Sequence, residues 1–110
     1  MIHPQALPAA ERDLYSNLRQ ILTQPGLLRG NLVVSERTCG KSTCRCYKDK
    51  ANRHRSLYLS LSLGGKPRRV YIPPELEAEV RDWVERYKRV REVLEKLSVA
   101  CLHRLEKREV

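Results

Sequence analysis

The chain has 110 residues, with 22 Lys and Arg against 13 Asp and Glu, a formal net charge of +9, and one Trp, five Tyr and no Phe. That length allows one domain with a small core, which at this size ordinarily needs a metal, a partner subunit or a long self-associating helix for stability. No apolar run reaches the roughly eighteen residues of a membrane span, and the opening MIHPQALPAAERDLY lacks the basic and apolar regions of a secretory signal, so a cytoplasmic protein with reduced thiols is expected.

Residues 9–24, AAERDLYSNLRQILTQ, are predicted as a short amphipathic helix. Leu14, Leu18, Ile21 and Leu22 share one face at 3.6-residue spacing, and Pro8 stands just ahead. The sequence QPG at 24–26 ends it, since proline disfavours a helical residue before it and glycine permits the turn. GNLVVSER at 30–37 reads as a short strand.

Next comes TCGKSTCRCYKDKANRH, residues 38–54, which holds three of the four cysteines. Leu57, Leu59, Leu61 and Leu63 then alternate with Tyr58, Ser60 and Ser62, Gly64-Gly65 turns the chain, and RRVYI at 68–72 returns. Strict alternation on both sides of a glycine pair predicts a β-hairpin or small antiparallel sheet.

Pro73-Pro74 ends the strand and opens a helix whose first turn carries Glu75, Glu77 and Glu79, near the positive end of its dipole. No proline or glycine follows up to residue 110. Leu76, Val80, Trp83, Tyr87, Val90, Leu94, Leu97 and Cys101 recur at alternating steps of four and three, a heptad seam. Glu77/Arg81, Asp82/Arg86, Glu85/Arg89 and Glu92/Lys96 sit at i,i+4 with the acid first. The helix would be about 50 Å long at 1.5 Å per residue, twice the N-terminal helix. A homodimer is therefore expected, with Val80, Trp83, Tyr87, Val90, Leu94 and Leu97 as its interface. The alternative is that the hairpin and first helix cover the front of the seam and the tail frays. Cys101 lies on the seam and reads as a small buried hydrophobe.

The expected architecture is α+β in three parts. These are an N-terminal helix in 1–29, a zinc-stabilised knuckle with its hairpin in 30–73, and a long coiled-coil-like helix in 74–110.

The cysteine spacing is Cys39-x4-Cys44-x-Cys46, followed after seven residues by His54. Three thiolates and an imidazole form a standard tetrahedral zinc set, and Gly40 lets the first loop fold tightly. Core packing is a poor account of these cysteines because their neighbours are Lys, Ser, Thr and Arg. A disulfide would leave one unpaired, and an iron–sulfur cluster ordinarily takes four cysteines. Cys39, Cys44 and Cys46 are thus the candidate Zn²⁺ ligands with His54 as the fourth; His103, the Asp49 carboxylate and water are its rivals.

At these residues the sequence resembles a family of small prokaryotic proteins described only as a domain of unknown function. Its members share a G-x-L/V strand, C-G-K-x-x-C-x-C, a loop ending in H-G-P-Y, a hairpin with a G-K turn, Y-x-P and a long charged helix. The likeness spans residues 29 to 97. On it the motif cysteines are Cys39, Cys44 and Cys46, the motif lysine is Lys41 and the loop histidine is His54. The departure is HRSLY for HGPY: Arg55 and Ser56 replace Gly-Pro, and the tyrosine falls one position later, at Tyr58. The resemblance implies a zinc-binding fold and supplies no activity.

Charge points to a partner. Residues 30–74 carry ten Lys and Arg against Glu36 and Asp49, a net +8, whereas residues 75–110 carry nine of each sign. A zinc bound by three thiolates and a neutral imidazole subtracts one, leaving +7. Such localisation suits phosphate contacts to DNA or RNA, in an accessory or regulatory role. The candidates are Lys41 and Arg45 between the cysteines, Lys48, Arg53 and Arg55 around His54, and Lys66, Arg68 and Arg69 near the hairpin tip. Tyr58 and Tyr71 are placed to stack on bases, although hairpin tyrosines more often pack. The second reading is a structural adaptor whose long helix docks on a protein assembly. Catalysis is not expected, because no carboxylate pair or Ser/His/Asp set is apparent and a four-ligand zinc leaves no open position for water.

Overall fold

Residues 7–37 and 54–109 are described by the computed structural model, and their architecture is α+β. Helix α1 spans Ala9–Leu22, strands β1, β2 and β3 span Asn31–Arg37, His54–Leu63 and Lys66–Ile72, and helix α2 spans Glu77–Glu106 after a 3-10 turn at Pro74–Leu76. The strands form one antiparallel sheet in the order β1-β2-β3. Among the described residues no helix is long and apolar enough to cross a membrane. The chain divides into two compact units, Leu28–Val84 on one hand and Met1–Leu27 with Glu85–Val110 on the other. The long helix contributes residues to both units.

In the sheet unit the alternation of β2 decides the packing. Leu57 and Leu59 are buried with Ile72 of β3 and with Val80 and Val84 of α2, and Leu28, Leu32, Leu61 and Trp83 pack around them. Leu63, next to the turn, runs out of helix to cover it and is exposed. The hairpin closes through Gly64 and Gly65, with φ of 57° and 78°. Two successive positive φ values are the mark of a type I′ turn, whose twist matches the strands and which glycine adopts without strain. That two-residue turn sets the register, pairing Leu63 with Lys66, Leu59 with Val70 and Tyr58 with Tyr71. Gly30 serves a different end. A Cβ there would lie 2.9 Å from Leu59 Cδ1 and 3.0 Å from the Ser60 carbonyl oxygen, so the chain enters β1 by a close approach to β2.

The other unit is an antiparallel-type helix pairing built on a second apolar cluster. Ile21 of α1 is buried with Val90, Val93 and Leu97 of α2, flanked by Leu14 and Leu18. The Arg12 N–H donates to the Pro8 carbonyl at 3.0 Å, and Glu11 stands in the first turn. At the far end Thr23 Oγ1 donates to the Gln20 carbonyl at 2.7 Å. Two polar groups are buried here. The Glu11 carboxylate lies 2.8 Å from Arg104 Nε, and Arg86 donates from Nη1 to the carbonyls of Pro25, at 2.6 Å, and Gly26 and from Nη2 to Gln24 Oε1 at 3.0 Å. Arg86 thus turns away from the expected Asp82 pairing and clamps the QPG turn, where bare carbonyls need donors.

The residues of the expected seam divide between the two cores. Val80 and Trp83 belong to the sheet core and Val90 and Leu97 to the α1 core, while Tyr87 is half-buried and Leu94 exposed. Val84 and Val93, off the heptad, are buried instead. The reason is that two different surfaces cover the helix in turn, so nothing holds it to a 3.5-residue repeat. Cys101 is likewise not the buried seam residue expected; it is an exposed free thiol.

Candidate nucleic-acid interface and metal segment

The β1–β2 ladder ends on the pair Arg37–His54. Residues 38–53 run between these two positions, so Cys39, Lys41, Cys44, Arg45, Cys46, Lys48 and Arg53 lie outside the described residues. His54 is the first residue of β2 and its backbone is paired with that of Arg37. Among the described residues no group of three or more His, Cys, Asp and Glu side chains gathers in a way that would hold a metal. Cys101 and His103 stand apart on α2, both exposed. Arg104 Nη2 lies 3.6 Å from Cys101 Sγ. That contact foremost, with the Glu11 carboxylate adding and burial opposing, raises the Arg104 pKa above its ordinary value, so the guanidinium is firmly charged.

Strands β2 and β3 carry Arg55, Lys66, Arg68 and Arg69, all exposed, and no acidic residue; β1 carries Glu36 and ends on Arg37. The register divides them between two faces. Arg68 pairs with Leu61 and Lys66 with Leu63, and Arg55 pairs with Glu36, so these positions belong to the row of alternation that also holds the core leucines. Arg69 pairs with Ser60, in the row of Tyr58 and Tyr71. The basic residues of the hairpin are therefore split between its two faces, because Arg68 and Arg69 are neighbours in a strand and strand neighbours point apart.

Arg55 helps line an open cleft of about 260 Å³ together with Val34, Leu57, Glu77 and Arg81. Two arginines and one carboxylate leave this cleft with a net positive charge, suited to a single phosphate or carboxylate group rather than to a chain of them. On the opposite face the Tyr58 and Tyr71 rings meet edge to face, with centroids 5.7 Å apart and planes at 64°. The Arg69 guanidinium carbon stands 4.4 Å above the Tyr58 ring, a cation–π arrangement. This constellation follows from the two-residue Gly64-Gly65 turn, which makes residues 58 and 71 partners once the strands are placed.

The family model described as "Domain of unknown function (DUF6788)" matches residues 7–82. The chain belongs to this family. The DUF6788 match takes in α1, the whole sheet with the cysteine segment, and the opening of α2. It reaches further towards the N-terminus than the motif likeness at residues 29–97 and ends within the first turns of α2. No curated protein and no solved structure matches the chain.

Proposed function

We propose that this DUF6788 protein is a small zinc-binding protein that binds nucleic acid, acting by binding rather than catalysis in an accessory or regulatory role. The observation that carries the reading is electrostatic. Residues 30–74 concentrate a net +8, and of their ten basic residues Arg55, Lys66, Arg68 and Arg69, on β2 and β3, are exposed, while the described strands hold one carboxylate. Phosphate neutralisation by such a surface releases counterions and gives salt-sensitive binding.

Zinc fits the donor set of Cys39, Cys44, Cys46 and His54, soft thiolates with an imidazole at the mouth of the hairpin. Bound there, it would tie the 38–53 segment down next to the Arg37–His54 rung and hold Lys41 and Arg45 with less entropy to lose on binding. We propose further that the protein is a cytoplasmic homodimer. With Val80, Val90 and Leu97 buried in the two cores, the leucines left on α2 for a second copy are Leu94, Leu102 and Leu105, all exposed. The same leucines also favour the second reading, an adaptor whose helix docks on another protein. Fluorescence anisotropy of labelled duplex and single strand over a series of salt concentrations tests the choice. Binding that weakens steeply with salt is expected, and binding to neither at low salt gives the adaptor its place.

A further inference from the structure

The face of the sheet turned away from its core has a composition that solvation alone does not explain. Along β2 this row reads Ser56, Tyr58, Ser60, Ser62, small hydroxyl side chains of the kind a wet face carries, interrupted at its centre by a ring. Across the strands the central rung is Val33, Tyr58 and Tyr71. Tyr71 is 51% exposed and Val33 38%, so an apolar and aromatic bar crosses the whole sheet in contact with water. Packing needs do not account for it, since Leu57, Leu59 and Ile72 supply the core from the other face.

Charge says what the bar is suited to meet. Arg69 lies over the Tyr58 ring, held where its remaining N–H donors can face a phosphate. The described strands' one acidic residue, Glu36, pairs with Arg55 in the core-facing row, so the tyrosine row is free of carboxylates among the described residues. The exposed Tyr71 ring beside a row of serines, with a guanidinium close by and no carboxylate in the row, has the elements of a base-stacking platform. A duplex cannot use such a platform, because its bases are already paired and stacked.

We propose that the face carrying Tyr58, Tyr71 and Arg69 binds single-stranded nucleic acid in preference to duplex, with a base stacked on Tyr71 and a phosphate at Arg69. This rests on the nucleic-acid reading above and specifies its substrate. The test uses the full chain as purified, with labelled oligothymidine, oligouridine and a mixed-sequence duplex followed by anisotropy at one salt concentration. The wild type should bind at least one single strand about tenfold or more tightly than the duplex, a stacked base being worth that much; the thymidine and uridine arms tell DNA from RNA. Tyr71→Leu should remove most of that preference without changing duplex affinity, and Tyr71→Phe, which keeps the ring, should preserve it. Equal affinity of wild type and Tyr71→Leu for single strands overturns the platform while leaving nucleic-acid binding in place, and so does a wild type without preference. Binding to none of the three probes overturns both. Should Tyr71→Leu fail to fold, amide shifts of the wild type on titration with oligothymidine decide. Shifts centred on residues 58, 69 and 71 uphold the platform, and shifts centred elsewhere overturn it.

Discussion

Gly30 shows how one residue's missing side chain can hold a strand in place. The hypothetical Cβ would stand 3.0 Å from the Ser60 carbonyl oxygen, a backbone atom that cannot swing aside, and 2.9 Å from a Leu59 side chain that is itself buried in the core. Gly30→Ala should therefore cost about 1–3 kcal/mol, the range for forcing an extra carbon into a packed site, read as a lower midpoint in chemical denaturation with an unchanged slope. A midpoint at or above the wild type would mean that β1 shifts freely, and the close approach would have no structural role. Arg86 makes the complementary point. Its fork is spent on carbonyls of the QPG turn, a use invisible in the sequence, where the same residue stands four positions after Asp82 and invites a surface ion pair.

At the scale of elements, the helices and the hairpin were legible and their covering was not. Leu57 to Leu63 alternate without a break and end on Gly64-Gly65, so the strand pair and its turn follow from local chemistry. The stretch after Pro74 has no breaker, and α2 results. Periodicity says which side of a helix is apolar, but not what lies on it. Val84 and Val93 replace seam positions because a sheet covers one part of α2 and α1 another. Glu11 and Arg104 are also beyond such reading, being an ion pair formed between residues 93 positions apart. The distinction is testable. Val90 is buried, so Val90→Lys should place a charge in an apolar core and unfold the helix pair. Leu94→Lys with Leu105→Lys alters exposed positions and should change stability by no more than about 0.5 kcal/mol. Light scattering should show the wild type at twice the chain mass and the double variant at one. A wild type already monomeric at tens of micromolar removes the dimer.

Across the whole molecule the proposal of a zinc-bound basic segment stands beside a sheet that presents Arg69 and Tyr71 to solvent. Protein prepared without chelator should carry about one zinc per chain by elemental analysis, and stripping it should abolish nucleic-acid binding, since structural zinc contributes folding free energy directly. Metal-free protein that binds as before would divorce the two halves of the proposal. The central claim, that the charge threaded through residues 30–74 meets phosphate, is tested most directly by one slope. Lys41, Arg45, Arg68 and Arg69 are changed together to glutamine, and log affinity is plotted against log salt concentration for variant and parent. The expected result is intact zinc content, weaker binding and a slope flatter by up to about 3.6, four contacts at roughly 0.9 each for duplex DNA. A variant with the parent's affinity and the parent's slope would contradict it.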